Sequence, residues 1–170
     1  MVADMVAKWL AEKGISHAFG IVGGGNNALW NAITEFKKTQ IVCNHHEQAA
    51  TMAASYYARS TGRIGFALVT TGAGSSNAIT GVLAAHMDGT PLLVISGNEA
   101  SKHMGSPARV WGVQGYASIE VMHPIVKADR RLMTPGRAVA QLESLYEYAL
   151  AAPRGPVWAD LPKDIQNSEI

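Results

Sequence analysis

The chain is poor in the features that mark specialised surroundings. It has a single cysteine, Cys43. No internal disulfide can form, which fits a reducing compartment. Cys43 lies in the apolar run IVC, residues 41–43, and reads as a buried thiol. No apolar run approaches the roughly 20 residues that cross a bilayer. The opening stretch MVADMVAKWLAEKG carries charges at helical spacing, unlike the apolar centre of a signal peptide. A cytoplasmic location is the expectation. Charge of one sign is also missing: 14 Lys and Arg stand against 13 Asp and Glu, for a formal net charge of +1. No block of like charge points to nucleic acid or a membrane surface as a partner.

Several catalytic and nucleotide-binding signatures are absent as well. The turn GIVGGGN places glycines at 20, 23, 24 and 25, which is not the G-x-G-x-x-G spacing of a dinucleotide site. The turn TTGAGSSNA, residues 70–78, opens a helix after a strand but has no Walker lysine. Both turns also read simply as tight strand-to-helix connections that need glycine. Ser75 and Ser76 lack a hydrolase elbow. Adjacent His45 and His46 point to opposite faces of an extended segment and have no further ligand at metal spacing, so no metal is expected on this chain.

What is present is alternation. Short apolar runs take turns with amphipathic ones throughout the chain. The first stretch puts Val2, Met5, Val6, Trp9 and Leu10 on one helical face and stops at Gly14. HAFGIV then predicts a strand, and residues 26–37 predict a helix with Ala28, Leu29, Ile33 and Phe36 in register. The unit recurs in TQIVCN with 47–60, in IGFALVTTGAG with 75–87, and in PLLVISG with a long loop. Two further strands are expected at 124–128 (PIVKA) and 156–160 (PVWAD), around a helix opened by Thr134 and Pro135. The pattern predicts a three-layer α/β fold: a mostly parallel six-stranded sheet with helices on both faces. Ligands of such sheets bind beyond the carboxyl ends of the strands, so the loops after Val22, Asn44, Val69 and Gly97 carry the interest. The stretch 98–123 is the one long segment without a period, with Trp111 and Tyr116 among glycines, and reads as a site-lining or interface loop.

Within that frame Glu47 stands out, directly after two histidines where a strand run becomes a helix. A first-turn Glu also simply suits the helix dipole. Yet Ala49, Ala50, Ala53 and Ala54 make this helix small-sided, so it can approach another element closely and enclose whatever lies at its start. A carboxyl group held in a dry place can share or donate a proton near neutral pH.

The run HHEQAATMAASYYARSTGRIGFALVTTGAGSSNAITGVLAAHMDGTPLLVISGN closely resembles the pyrimidine-binding (PYR) domain of thiamine diphosphate enzymes, in the branch of acetolactate synthase and benzaldehyde lyase. AFGIVGGGNNALWNAI, GVQGYASIEVMHPIVKADRRL and GPVWADLPKDIQ extend the resemblance over nearly the whole chain. By that resemblance Glu47 is the catalytic glutamate that hydrogen-bonds N1′ of the cofactor's aminopyrimidine, favouring the tautomer whose exocyclic nitrogen takes the proton from thiazolium C2. Gly23, Gly24, Thr71, Gly72 and Asn77 fall where the family meets its cofactor, although Thr71, Gly72 and Asn77 also read as turn and cap residues. Gly25 and Gln114 fall on the substrate side. Gly25 stands where benzaldehyde lyase-like enzymes carry a pocket histidine, and Val22 where the branch usually has proline or histidine.

The Gly-Asp-Gly stretch that marks the family's diphosphate-binding (PP) domain does not occur. The resemblance therefore implies one PYR domain over 1–170, with the PP domain, and the Mg²⁺ it holds, on a separate chain. A heterotetramer of two PYR and two PP chains is expected. The implied activity is that of a two-component enzyme that decarboxylates or cleaves a small 2-oxo acid and transfers the acyl carbanion equivalent to an acceptor carbonyl. A split decarboxylase releasing an aldehyde, of the sulfopyruvate or phosphonopyruvate type, is the alternative. It would need basic pocket residues, for which Lys102 and Arg109 are the candidates. From another class comes a non-catalytic scaffold with the same fold.

Overall fold

A computed structural model describes residues 1–170. The elements run α1 (Val2–Glu12), β1 (His17–Gly20), α2 (Asn27–Phe36), β2 (Gln40–Cys43), α3 (Glu47–Thr61), β3 (Gly65–Val69), α4 (Ala73–Ser76), α5 (Ile79–Met87), β4 (Leu92–Asn98), α6 (Ser118–Met122), β5 (Ala128–Arg131), α7 (Ala138–Leu150), β6 (Pro156–Pro162) and α8 (Lys163–Gln166). The six strands form one sheet in the order β2-β1-β3-β4-β6-β5. Every pairing is parallel. The expected three-layer α/β fold is what forms, with no antiparallel strand in the sheet.

Strand alternation sorts the core into two layers. Phe66 and Leu68 of β3, Leu93 and Ile95 of β4, and Val157, Ala159 and Leu161 of β6 join side chains of α1, α2 and α7 in the larger cluster. Ala67, Val69, Leu92, Val94 and Trp158 face the other way, towards Ala50 and Ala54 of α3, Val82 and Ala85 of α5 and Met122 of α6. Burying a large apolar side chain fully contributes about 1.5–3 kcal/mol. The central strands β3 and β4 are buried at every position, so the stability of the domain is concentrated there. Helix α3 lies especially close to its neighbours. A Cβ on Gly65 would fall 2.2 Å from the Ala54 carbonyl oxygen, and one on Gly81 would fall 2.1 Å from Thr51 Oγ1.

The structure departs from the sequence-based expectations at several places. Cys43 is exposed, because β2 is an edge strand that only β1 flanks and Cys43 is its last residue. The fifth strand begins at Ala128, where 124–128 was expected: His123–Ile125 form a 3-10 turn around Pro124, which has no N–H for a ladder. Its sequence ADRR is charged, as an edge strand tolerates. The helix expected over 75–87 is two helices, broken between Ser76 and Ile79. Met5 and Phe36, expected on buried faces, are 43% and 42% exposed, while Ala3, Ala7 and Trp30 are buried in their stead. At the end of α1, Gly14 adopts φ +68°. Its N–H bonds to Ala11 and that of Ile15 to Leu10, which satisfies carbonyls the helix leaves open.

The strand order reverses direction between β1 and β3, the topological switch point where open parallel sheets bind ligands. The loops leaving β1 at Gly20 and β3 at Val69 meet there, and the turn after β2 leads into Glu47 beside them.

Candidate active site

Glu47 is the first residue of α3. His46 caps the helix in an extended conformation, its Nδ1 accepting the N–H of Gln48 at 3.2 Å. The capping role uses His46 as part of the backbone's own hydrogen-bonding. Glu47 itself turns inward and is only 8% exposed. Its Oε2 accepts from Asn77 Nδ2 at 3.0 Å. No donor of the chain is bonded to Oε1. That oxygen lies over Gly74, where a Cβ would sit 3.2 Å away. The helix dipole favours negative charge at this end. A buried carboxyl with one neutral partner and one open oxygen is suited to hydrogen-bond a ring nitrogen placed between them.

The connection from β3 to α4 forms the next wall. Gly72 has φ +67°, a backbone state that L side chains rarely adopt, and a Cβ there would lie 2.8 Å from the Gln114 carbonyl oxygen. Across the switch point, Thr70 Oγ1 accepts the Gly25 N–H at 3.1 Å. A Cβ on Gly23 would fall 2.5 Å from Thr70 Oγ1, and one on Gly25 would fall 2.0 Å from Thr71 Oγ1. These two glycines are present because the two loops touch. Gly24 has nothing within 4 Å of a Cβ and needs no glycine for space. Thr71 Oγ1 is buried without any hydrogen-bond partner, an orphaned donor beside the same loops that a bound polar group would satisfy.

A cavity of about 200 Å³ opens beyond this wall, lined by Gly24, Gly25, Thr71, Glu99, Val113, Gln114 and Lys163. The long loop supplies Gln114, whose Nε2 donates to the Thr71 carbonyl at 3.3 Å. An antiparallel bridge between Trp111 and Gly115 shapes the turn that carries it. Tyr116 accepts a hydrogen bond from Ser75 Oγ at 2.9 Å, and burial pushes its phenol pKa up. Ser101 donates through its N–H and hydroxyl to Asp164 at 2.9 and 2.5 Å. Below the loop, Asp160 is fully buried and accepts from Asn98 Nδ2 at 2.9 Å and Arg131 Nε at 3.0 Å. Burial holds its pKa above the usual carboxylate range despite those donors. The long loop thus lines this cavity through Val113 and Gln114. A larger cavity of about 440 Å³, between Lys13, His17, Tyr57, Arg63 and Tyr146, opens elsewhere, beside the start of β1. No sequence-derived site residue lies in it.

The sequence-derived residues thus fall into two adjoining groups. Glu47 and Asn77 form a hydrogen-bonded pair, while Gly23, Gly24, Gly25, Thr71, Gly72 and Gln114 form the wall and rim beside it. Lys102 and Arg109, the candidate pocket cations, are exposed and do not line the cavity. The cation that does is Lys163, bonded to Glu99 at 2.5 Å, and neither residue was singled out from sequence. Their signal is weak: Glu99 follows a strand's carboxyl end, and Lys163 opens a helix too short to show a period. Gln166 was missed as well. It is fully buried and its Nε2 donates to the Gly25 carbonyl at 2.6 Å, tying the glycine turn to the chain's last helix. Thr70, which spaces the two loops, gave no signal at all.

The family described as thiamine pyrophosphate enzyme, N-terminal TPP binding domain, matches residues 1–128. Among curated relatives, the acetolactate synthase large subunit of Buchnera aphidicola subsp. Schizaphis graminum is 40% identical over 163 residues, 96% of this chain and 28% of that protein. The acetolactate synthase isozyme 3 large subunit of Escherichia coli is 36% identical over 165 residues, 97% of this chain and 28% of that one. A probable acetolactate synthase large subunit of Methanocaldococcus jannaschii is 31% identical over 168 residues, again 28% of its length. The chain therefore spans little more than a quarter of these relatives. With a buried carboxylate and two glycine-lined turns at the switch point of a parallel α/β sheet, the chain belongs to the N-terminal TPP binding domain family of thiamine pyrophosphate enzymes.

Proposed function

We propose that this chain is the pyrimidine-binding half of a thiamine diphosphate-dependent, acetolactate synthase-like enzyme. The enzyme decarboxylates or cleaves a small 2-oxo acid and transfers the acyl unit to an acceptor carbonyl, in a cytoplasmic setting. The observation that carries this reading is the state of Glu47: 8% exposed, one oxygen held by Asn77, the other open over Gly74. A carboxylate buried with so little compensation costs stability, so a purely structural role gives no reason for it.

When bound, thiamine diphosphate supplies the electron sink that lets a bond beside the substrate carbonyl break. The chain's residues do the positioning. Glu47 presents Oε1 to N1′ of the pyrimidine and holds a proton there. Asn77, through Oε2, keeps the carboxyl in one orientation. Gly23, Gly24 and Gly72 form the two turns on the cofactor side, held together by their contacts with Thr70 and Gln114, and Thr71 offers its free hydroxyl at the boundary. Gly25 lies on the substrate side, and Gln114 faces the same cavity from the long loop. The diphosphate and its Mg²⁺ are assigned to a PP domain on a separate chain, in a heterotetramer of two PYR and two PP chains.

The test is purification of the tagged chain from native extract, with analysis for a PP-type partner, thiamine diphosphate and Mg²⁺, followed by assay with pyruvate. The expected result is a complex that forms an acyloin. Aldehyde as sole product would replace carboligation with simple decarboxylation. Recovery of the chain alone, without cofactor, would overturn the reading in favour of a scaffold.

A further inference from the structure

Glu99 and Lys163 are the only charged residues lining the 200 Å³ cavity, and they are bonded to each other at 2.5 Å. The Glu99 side chain is 8% exposed, that of Lys163 41%. The pair is fixed from several sides. The Val113 N–H reaches Glu99 Oε1 at 3.4 Å. Gly112 and Gly115 approach so closely that a Cβ on either would lie 2.7 Å from the Glu99 side chain. Burial raises the Glu99 pKa, but the Lys163 hydrogen bond and charge, with the N–H groups of Val113 and Gln114, outweigh it, and the net shift is downward. Glu99 is thus an anion at neutral pH, and Lys163 is already matched.

We propose that Glu99 sets the charge of this cavity and so the class of substrate it admits. By neutralising the one cation on the wall, it suits the cavity to an uncharged carbonyl compound, an aldehyde or ketone, and disfavours a second carboxylate. The inference rests on reading the Gly25 and Gln114 cavity as the substrate side. A carboxylate entering here meets the negative charge of Glu99, and in drawing Lys163 towards itself it weakens the ion pair and leaves the buried Glu99 only the N–H groups of Val113 and Gln114, which is unfavourable. An uncharged carbonyl compound meets groups with bonding capacity left: the second N–H of the Gln114 amide, whose first donates to the Thr71 carbonyl, the backbone of Gly24, and the unpartnered Thr71 hydroxyl. A charge opposed to the wrong ligand is a common way to gain selectivity.

The test is titration of the full 170-residue chain with pyruvate as an anionic probe, followed through the amide signals of Gly24, Gly25 and Gln114. Glu99→Gln keeps an acceptor for the backbone N–H groups and removes only the charge. It is expected to bind pyruvate about tenfold more tightly than the wild type, and Lys163→Met added to it is expected to abolish the gain. Glu99→Met offers a second charge-free variant should the first fail to fold. Equal pyruvate affinity in wild type and variant, or a gain that survives Lys163→Met, would overturn the proposal. So would saturable binding to the wild type that Lys163→Met alone removes. The titration reads binding to this chain and needs no turnover. Failure of the thiamine diphosphate reading shows instead in the purification and assay, so the two failures are told apart.

Discussion

Glu47 and Glu99 are both buried at the carboxyl edge of one sheet, on opposite sides of the Thr70–Gly74 connection, and they are held in contrasting ways. Glu47 opens a fifteen-residue helix, has a single amide partner and keeps one oxygen open. Glu99 follows the central strand β4 and is matched by a cation and by backbone N–H groups of the loop it supports. Exposure of the whole residue is nearly the same, 8% and 6%. The difference lies in what surrounds each carboxylate: one is left with bonding capacity to offer a ligand, while the other has spent its capacity on the chain. Exposure alone would have ranked them equally as site residues.

The comparison is broken most severely at Glu47. Glu47→Gln in the assembled enzyme should lower turnover by about 10²–10⁴-fold and leave assembly intact, since the amide still pairs with Asn77. A variant with turnover near that of the wild type would remove Glu47 from the mechanism. Next in size is Gly97→Ala, whose Cβ would lie 1.9 Å from the Gly25 carbonyl oxygen. Overpacking of this kind costs about 1–3 kcal/mol, and a denaturant midpoint should fall accordingly. An unshifted midpoint would mean the glycine turn yields more easily than its contacts imply.

On the other side of the wall, Glu99→Ala removes the acceptor for Val113 and the partner of Lys163, with an expected loss of about 1–2 kcal/mol. Hydrogen exchange should speed up over residues 111–115 and leave α3 unchanged. Exchange that rises equally in both would show that the two regions are one unit. Acid provides a gentler version. Glu99 and Asp164 both have folded pKa values below their ordinary 4.5 and 3.8. For Asp164, burial is outweighed by the Ser101 hydrogen bonds together with backbone N–H groups. A depressed folded pKa stabilises fully above the unfolded value and is lost as pH falls through the folded one. The long loop should therefore loosen below about pH 4. Asp160, whose pKa is raised by burial, acts with opposite sign and favours the folded state on acidification. Protection against pH for Ser101 and Val113 amides reads the first effect, and absence of any acid loosening would count against these pairings. The smallest effect is expected at Gly24→Ala, which meets nothing within 4 Å and should change stability by less than about 0.5 kcal/mol.

Much of the fold was legible locally, because helix and strand periods are recorded in neighbouring residues. The repeated strand, turn and helix units placed Glu47 at the start of a helix and the Gly23–Gly25 and Thr71–Gly72 turns on loops after strands, and they are found there. Errors arose where an edge was mistaken for an interior. Cys43 has the surroundings in sequence of a buried residue, yet the strand beside it has one neighbour only. Likewise Lys102 and Arg109 were nearer in sequence to Gln114 than Lys163 was, but chain proximity did not decide which cation faces the cavity.

From the sequence alone came the alternation that makes an α/β sheet, the small-sided helix behind Glu47 and the glycines that let loops approach. Each is a property of residues within one turn or strand of each other. Tertiary structure decided the strand order, the exposure of the edges, and the meeting of Glu99 with Lys163 and of Gly25 with Gln166, 64 and 141 residues apart. Such pairings depend on how whole elements stack to bury their apolar faces. A charged or polar residue carries no local mark of the partner that this stacking will bring to it.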